Sequence, residues 1–315
     1  MIFFMILGCG GQVKGEKFRL SMLYFLIKEY ALMVGIFMMH LAQTSPEIRD
    51  SWLSLSDFVQ PIGWEGARKT FANAQPFDHI VIDDFFHNDI ADKLSEEFPA
   101  FDAPCWNSYS NAIEEKKTCN HYDRFPETTY QAIDVLNGPE FVRILSDLTG
   151  FDTLRPDYGL NGGGWHIHSA GGKLNTHLDY SIHPKIKMER RLNIIIHLSK
   201  DWNADWGGGL GLWSHDAEKF APKDLIKTVP VKFNRAVLFD TTQNSWHGLP
   251  DPITCPEGVY RKTLALYYLT PPREGVSDRG KALFAPHENQ KGDPEVMELI
   301  KKRASVGTAA DVYRK

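Results

Sequence analysis

Apolar positions change their period near the middle of this chain. Before residue 150 they recur at helical spacing. "NDIADKLSEEF" places Ile90, Leu94 and Phe98 on one helical stripe. "TTYQAIDVLNG" and "PEFVRILSDLTG" read as two further helices, stopped at Gly138 and Gly150. "SPEIRDSW" reads as a helix start after Ser45, and "FDHIVIDDFF" as a strand entering a turn.

After Gly150 the texture is that of strands. "GWHIHS", "LNTHLDY", "RLNIIIHLS", "GLGLWS", "KTVPVKF", "RAVLFDT" and "RKTLALYYLT" are short, rich in β-branched and aromatic residues, and separated by Gly, Asn, Asp and Pro. Many short strands of this kind predict a β sandwich or barrel. The fold class is therefore mainly β with a helical N-terminal half. The glycine runs at 162–164 and 207–209 lack the context of a phosphate loop and read as bulges or tight turns.

Three regions follow. Residues 1–45 form an apolar leader or appended helix, residues 46–275 the main domain (helical over 46–150, β over 151–275), and residues 276–315 a charged extension with "DPEVMELIKKRA" as its best helix. In the leader, "LSMLYFLIKEYALMVGIFMMHLA" is interrupted by Lys28 and Glu29. Its unbroken part falls short of the ~20 apolar residues of a membrane span, so a core or interfacial helix fits better. Met22, Met33, Met38 and Met39 are alternative starts, which would make part of the leader non-native.

Composition changes the picture little: 43% hydrophobic and 24% charged residues are those of a globular protein with a real core. A net charge of -5 gives no basic field for nucleic acid. Cys9, Cys105, Cys119 and Cys255 form no C-x-x-C pair and read as free thiols in a reducing cytoplasm.

The candidate chemistry lies in the β half. In "KLNTHLDYSIH", His177 and Asp179 leave a strand on the same face and can share one metal ion. "NSWHGLP" supplies His247 from a later strand. Two imidazoles and one carboxylate on one face of an octahedral ion leave positions open, an arrangement suited to non-haem Fe(II) that also binds a co-substrate and O2. "RKTLALYYL" then sets Arg261 at the start of an apolar strand. A buried arginine needs an anionic partner, and its planar fork suits a carboxylate.

The ordered set "THLDY", "WHG" and "YRKTLALYYL" resembles the 2-oxoglutarate and Fe(II)-dependent oxygenases, in their prolyl-hydroxylase-like branch, over roughly residues 76–275. The stretch "GGKLNTHLDYSIHPK…RRLNIIIHLSKDW…WGGGLGLW" is also similar to a bacterial subgroup that includes the Kdo 3-hydroxylases, which act on a sugar acid of lipopolysaccharide. The resemblance implies a double-stranded β-helix, a jelly-roll or cupin-like barrel buttressed by helices. It implies Fe(II) held by His177, Asp179 and His247, with 2-oxoglutarate and O2 as co-substrates. Arg261 matches the basic residue for the distal carboxylate of 2-oxoglutarate, where many members of the branch have Lys. Thr263 faces the same way and adds a hydroxyl. Hydroxylation of a C–H bond is the implied reaction.

His166, His168, Lys173, Asn175 and Lys185 are the candidate substrate contacts, whereas His183 and His197 read as satisfied structural histidines. Of Trp165, Trp206, Trp213 and Trp246, at least two are expected in the core, with Trp246 pointing away from the metal. "HPKIKMERR" gathers Lys185, Lys187, Arg190 and Arg191 into a basic loop, read either as a contact for an anionic substrate or as a solvated turn.

The expected substrate is a small or lipid-linked sugar acid, best of all the Kdo sugar, met at the inner face of the cytoplasmic membrane with the leader in peripheral contact. A peptidyl proline substrate is the alternative with the same cofactors. A non-oxidative metal-binding isomerase or binding module is the alternative of another class.

Overall fold

In the large sheet, alternate residues of each central strand face either a layer of helices or an internal cavity. The computed structural model describes residues 53–61, 66–241 and 243–305. The apolar leader and the helix start at Ser45 lie outside the described residues.

Two antiparallel sheets form the body. The nine-stranded sheet runs β1 (His79–Ile82), β11 (Arg235–Asp240), β8 (Glu189–His197), β13 (Arg261–Thr270), β5 (Gly164–His168), β3 (Glu114–Cys119) and β2 (Asn107–Ser110). Two short strands join it, β4 (Arg155–Pro156) on β13 and β6 (Lys173–Leu174) on β3. The five-stranded sheet runs β10 (Ala221–Val229), β9 (Leu210–Asp216), β12 (His247–Gly248), β7 (His177–Leu178) and β14 (Leu283–Phe284). This is the double-stranded β-helix expected of the chain.

The period of two along each strand decides what faces what. Ile194, Ile196, Leu264, Leu266, Tyr268, Trp165 and Ile167 face outward into the largest core. There they meet α1 (Leu55–Phe58), α2 (Ala67–Ala72), α3 (Asn88–Glu96), α4 (Glu127–Asn137) and α5 (Pro139–Thr149). The alternate residues Asn193, Ile195, Thr263, Ala265, Tyr267, His166 and His168 line the cavity between the sheets. Beside the cavity the sheets close on each other through Phe77, Leu210, Leu212, Val229, Val237 and Phe239.

The helices follow their local signals. α5 starts at Pro139, whose missing N–H is no loss in a first turn, and ends at Gly150 with φ 77°. Its N–H closes on the Ser146 carbonyl at 2.8 Å. Gly164, at φ 82°, answers a closer constraint. A Cβ there would sit 2.2 Å from the Cys119 carbonyl oxygen, so glycine lets β3 and β5 approach.

Three departures from the sequence reading have physical causes. The expected strand "KTVPVKF" stops at Val229, because Pro230 has no N–H for the ladder, and β10 extends the other way to Ala221. The β2–β3 hairpin falls within the stretch expected to be helical. "EEKKTC" is almost wholly polar and shows no alternation, because its inward face meets a polar cavity. The charged extension is helical as expected, forming α6 (Pro294–Ser305), but it also adds β14 to the smaller sheet.

Among the described residues, no helix is long and apolar enough to cross a membrane. Cys105, Cys119 and Cys255 are free thiols.

Ile196 is fully buried between strand and helices. Ile196→Ala is expected to lower unfolding free energy by about 2–5 kcal/mol in urea denaturation, as large-to-small core changes do. Leu225→Ala, on the exposed edge strand, should change it by less than ~0.5 kcal/mol.

Candidate metal centre

The register of the smaller sheet pairs His177 on β7 directly with His247 on β12. Their rings lie 4.3 Å apart between centroids. Asp179, two residues beyond His177, brings its carboxylate to the same point. Its Oδ1 is 3.8 Å from His177 Nε2 and its Oδ2 is 3.9 Å from His247 Nε2. The three side chains can each offer one ligand atom, all within 4.8 Å of one another.

Each imidazole is oriented by its own strand. His177 Nδ1 is 2.9 Å from the Asn175 carbonyl, and His247 Nδ1 is 2.9 Å from the Ser245 carbonyl. A carbonyl can only accept, so each Nδ1 carries the proton and each Nε2 lone pair is left toward the shared point. Burial, followed by the neighbouring His247, holds His177 down to about 3. Burial likewise lowers His247. Asp179 is pushed up by burial, but Arg190 and the two imidazoles outweigh this and bring it down to about 2. Near neutral pH the set is therefore two neutral imidazoles and a carboxylate, the donor set that a divalent transition ion requires.

Several groups support the triad. Arg190 Nη1 lies 3.1 Å from Asp179 Oδ1, and Asn193 donates to Oδ2 at 3.4 Å. The Arg190 guanidinium is held between the rings of Tyr180 and Tyr267, at 3.6 and 3.3 Å. Phe284 on β14 stacks on His177 at 5.1 Å, and Arg279 donates to the Asp179 carbonyl at 2.7 Å. None of these follows from a motif in the sequence. Its charge and neighbours in "HPKIKMERR" place Arg190 in a basic loop. It instead lies inside β8, as does Arg191, which pairs with Asp240 at 2.6 Å. The basic patch therefore reduces to Lys185 and Lys187.

Arg261 is buried, and its Nε donates to the Gly208 carbonyl at 2.6 Å. Among the described residues it has no carboxylate partner within salt-bridge distance. Burial alone lowers it to about 10. Thr263 lines the same wall. His168 stands opposite Arg261 in the ladder, and His166 and His197 flank Thr263. Both ring nitrogens of His168 and of His197 are buried without a hydrogen-bond partner. His197 is thus not the satisfied histidine expected of it. A desolvated guanidinium lacking an acid, with unpaired polar atoms around it, fits the distal carboxylate of a dicarboxylate.

The other sequence candidates divide. His166, His168 and Lys185 line the cavity, which measures about 510 Å³. Lys173 is not among its lining residues. Asn175 is tied to Ala285 and Gln290 by its side-chain amide and orients His177 through its carbonyl. His183 accepts the backbone N–H groups of Lys185 and Ile186, a structural role. Trp165 packs in the outer core, and Trp246 turns its N–H to His215, away from the metal point.

Residues 163–269 match the family model described as the 2OG-Fe(II) oxygenase superfamily, a span that holds His177, Asp179, His247 and Arg261. The β core is therefore similar to 2OG-Fe(II) oxygenase domains over about a third of the chain. The chain is 25% identical over 181 residues to the prolyl 3-hydroxylase OGFOD1 of Mus musculus, covering 57% of this chain and 30% of that protein. It therefore spans about a third of that relative's length. Among solved structures, a prolyl-4-hydroxylase of Pseudomonas putida aligns with a TM-score of 0.46 at 14% identity, over 66% of this chain and all of the other. A Trichoplax adhaerens prolyl hydroxylase, solved with a hypoxia inducible factor peptide fragment, aligns with a TM-score of 0.44 at 15% identity, over 67% and 94% of the two chains. The residues present fit Fe(II), through His177, Asp179 and His247, and 2-oxoglutarate, through Arg261.

Anaerobic titration of the protein with Fe(II) and 2-oxoglutarate should give the visible charge-transfer band of the chelate. Asp179→Ala is expected to abolish it. Arg261→Ala should retain it but need about 30-fold more 2-oxoglutarate or above, the loss expected when one side of a buried charge pair is removed.

Proposed function

We propose that this protein is an Fe(II)- and 2-oxoglutarate-dependent oxygenase that hydroxylates an aliphatic C–H bond of a small or lipid-linked sugar acid, with the Kdo sugar of lipopolysaccharide as the first compound to test. The observation that carries the acidic substrate is the charge of the cavity. Lys116, Lys185, Arg190, Arg261, Lys281 and Arg303 line it, against the carboxylates Glu114 and Asp179. Fe(II) and the 2-oxoglutarate dianion cancel each other, so four positive charges remain in excess. Such a cavity concentrates anions and disfavours neutral or cationic ligands.

When both are bound, Fe(II) and 2-oxoglutarate supply O2 activation: 2-oxoglutarate, O2 and the substrate C–H become succinate, CO2 and the alcohol. The chain's own residues do the rest. His177, Asp179 and His247 would hold the ion through one ligand atom each. Arg261 and Thr263 fix the distal carboxylate of the co-substrate. Arg190 and Asn193 hold Asp179 in orientation, and Leu174, Ile195, Leu210 and Leu249 keep part of the wall dry. Free thiols and the need for 2-oxoglutarate support a cytoplasmic location, with a lipid-linked substrate met at the inner face of the membrane.

A peptidyl proline substrate is the second reading, supported by the likeness to the mouse prolyl 3-hydroxylase. Succinate formation from 2-oxoglutarate decides between the two. Kdo-containing lipid A precursors are expected to stimulate it several-fold and to gain one oxygen atom by mass spectrometry, while proline peptides leave it at the basal rate. The reverse pattern would establish the prolyl reading.

A further inference from the structure

The β3 side of the cavity holds a charged group that neither the metal nor the co-substrate uses. β3 turns Glu114, Lys116 and Thr118, at alternate positions, to the cavity. Glu114 is 1% exposed, and two cations converge on it. Lys116 Nζ stands 3.4 Å from one carboxylate oxygen, and Arg303 Nε, reaching in from α6, stands 3.4 Å from the other. Both cationic side chains are only 13% exposed. A buried carboxylate requires such pairing. One carboxylate, however, offsets only one of the two cations, and the pair keeps a net positive charge on a largely desolvated wall.

Lys116 is also well placed with respect to the reaction. The ladder sets Lys117 opposite Ile167 and Thr118 opposite His166, so one step further Lys116 is level with His168, which itself faces Arg261. The Lys116 charge acts on His177, Asp179 and His247. It thus belongs to the cavity that holds the metal point, two strands away from the arginine that takes the co-substrate.

We propose that Lys116, steadied by Glu114 and joined by Arg303, is the docking point for an anionic group of the substrate, a carboxylate or a phosphate. This rests on the oxygenase reading above and adds to it a specificity-determining residue. Glu114 is a positioning residue: it holds two cations side by side, and the incoming anion supplies the second negative charge that neither cation finds among the described residues. Because α6 supplies Arg303, the same anion ties the C-terminal helix to the sheet while substrate is present.

Sulfate, a tetrahedral oxyanion, serves as the probe. It is titrated calorimetrically into the anaerobic Fe(II)–2-oxoglutarate complex, with acetate as the planar carboxylate in a parallel arm. Saturable binding at millimolar concentrations is expected, with the preferred arm showing whether the site suits a phosphate or a carboxylate. Lys116→Gln and, separately, Arg303→Gln should weaken it about tenfold, as loss of a charge-assisted contact does. Lys116→Arg should restore it, and the 2-oxoglutarate midpoint of the visible band should move far less in every variant than it does in Arg261→Ala. Absence of saturable binding in both arms, equal binding in Lys116→Gln and wild type, or competition of the anion with 2-oxoglutarate would each overturn the proposal. A missing visible band beside intact, Lys116-dependent anion binding would count against the oxygenase reading and leave the dock standing.

Discussion

The alternation of side chains along β13 is the constraint on which both the core and the site depend. Leu264, Leu266 and Tyr268 enter the helix-backed core, while Arg261, Thr263, Ala265 and Tyr267 face the cavity. A slip of one residue would put a guanidinium into the helix layer and leucines against the metal point. β13 also pairs with three strands, β8, β5 and β4. Its register therefore sets the position of His166 and His168 on one side and of Asn193 and His197 on the other. The apolar half of the strand supplies the folding free energy that holds the polar half in place.

That polar half works against stability. Arg261, His168 and His197 are buried with polar atoms unpaired or without a counter-charge, and each such group costs on the order of 1–3 kcal/mol. A protein selected for stability alone would place leucine or phenylalanine there. Burial and the nearby Arg261 hold both histidines well below their ordinary range, so they stay neutral and add no further charge beside the guanidinium. The cost is offset only when a ligand with acceptor oxygens arrives. The outer core, with more than thirty buried apolar residues in one cluster, is large enough to carry that penalty.

Sequence pattern reached the elements whose signals are local. The helices from Asn88 to Thr149, the strands β5, β8, β9, β11 and β13, and the triad itself obey periods of 3.6 or 2, or a same-face spacing of two. What escaped was set by register between distant segments. Arg190 and Arg191 are adjacent, yet one supports Asp179 and the other pairs with Asp240 on the opposite side of the sheet. The expected strand "RLNIIIHLS" opens at Arg191, whereas side-chain charge placed Arg190 in the preceding loop, and the ladder of β8 with β13 extends the strand back to Glu189. "EEKKTC" gave no strand signal because its inward positions meet a polar cavity. Phe284 and Arg279 come from a segment about 100 residues beyond His177 and Asp179, so no spacing links them to the ligands.

Two electrostatic demands on the site pull in opposite directions, and the geometry separates them. Metal ligation needs neutral imidazoles and an ionised carboxylate, whereas an anionic co-substrate needs cations close by. A cation beside a histidine disfavours its protonation, and a cation beside an aspartate favours its ionisation, so positive charge serves both demands as long as it is fixed. Arg190, clamped between two tyrosine rings, and Arg261, tied to the Gly208 carbonyl, are both held in place. Lys116 is restrained by the buried Glu114 in the same way. The cavity is thus cationic without offering a mobile carboxylate that would compete for the metal, and its anions are left to come from the ligands.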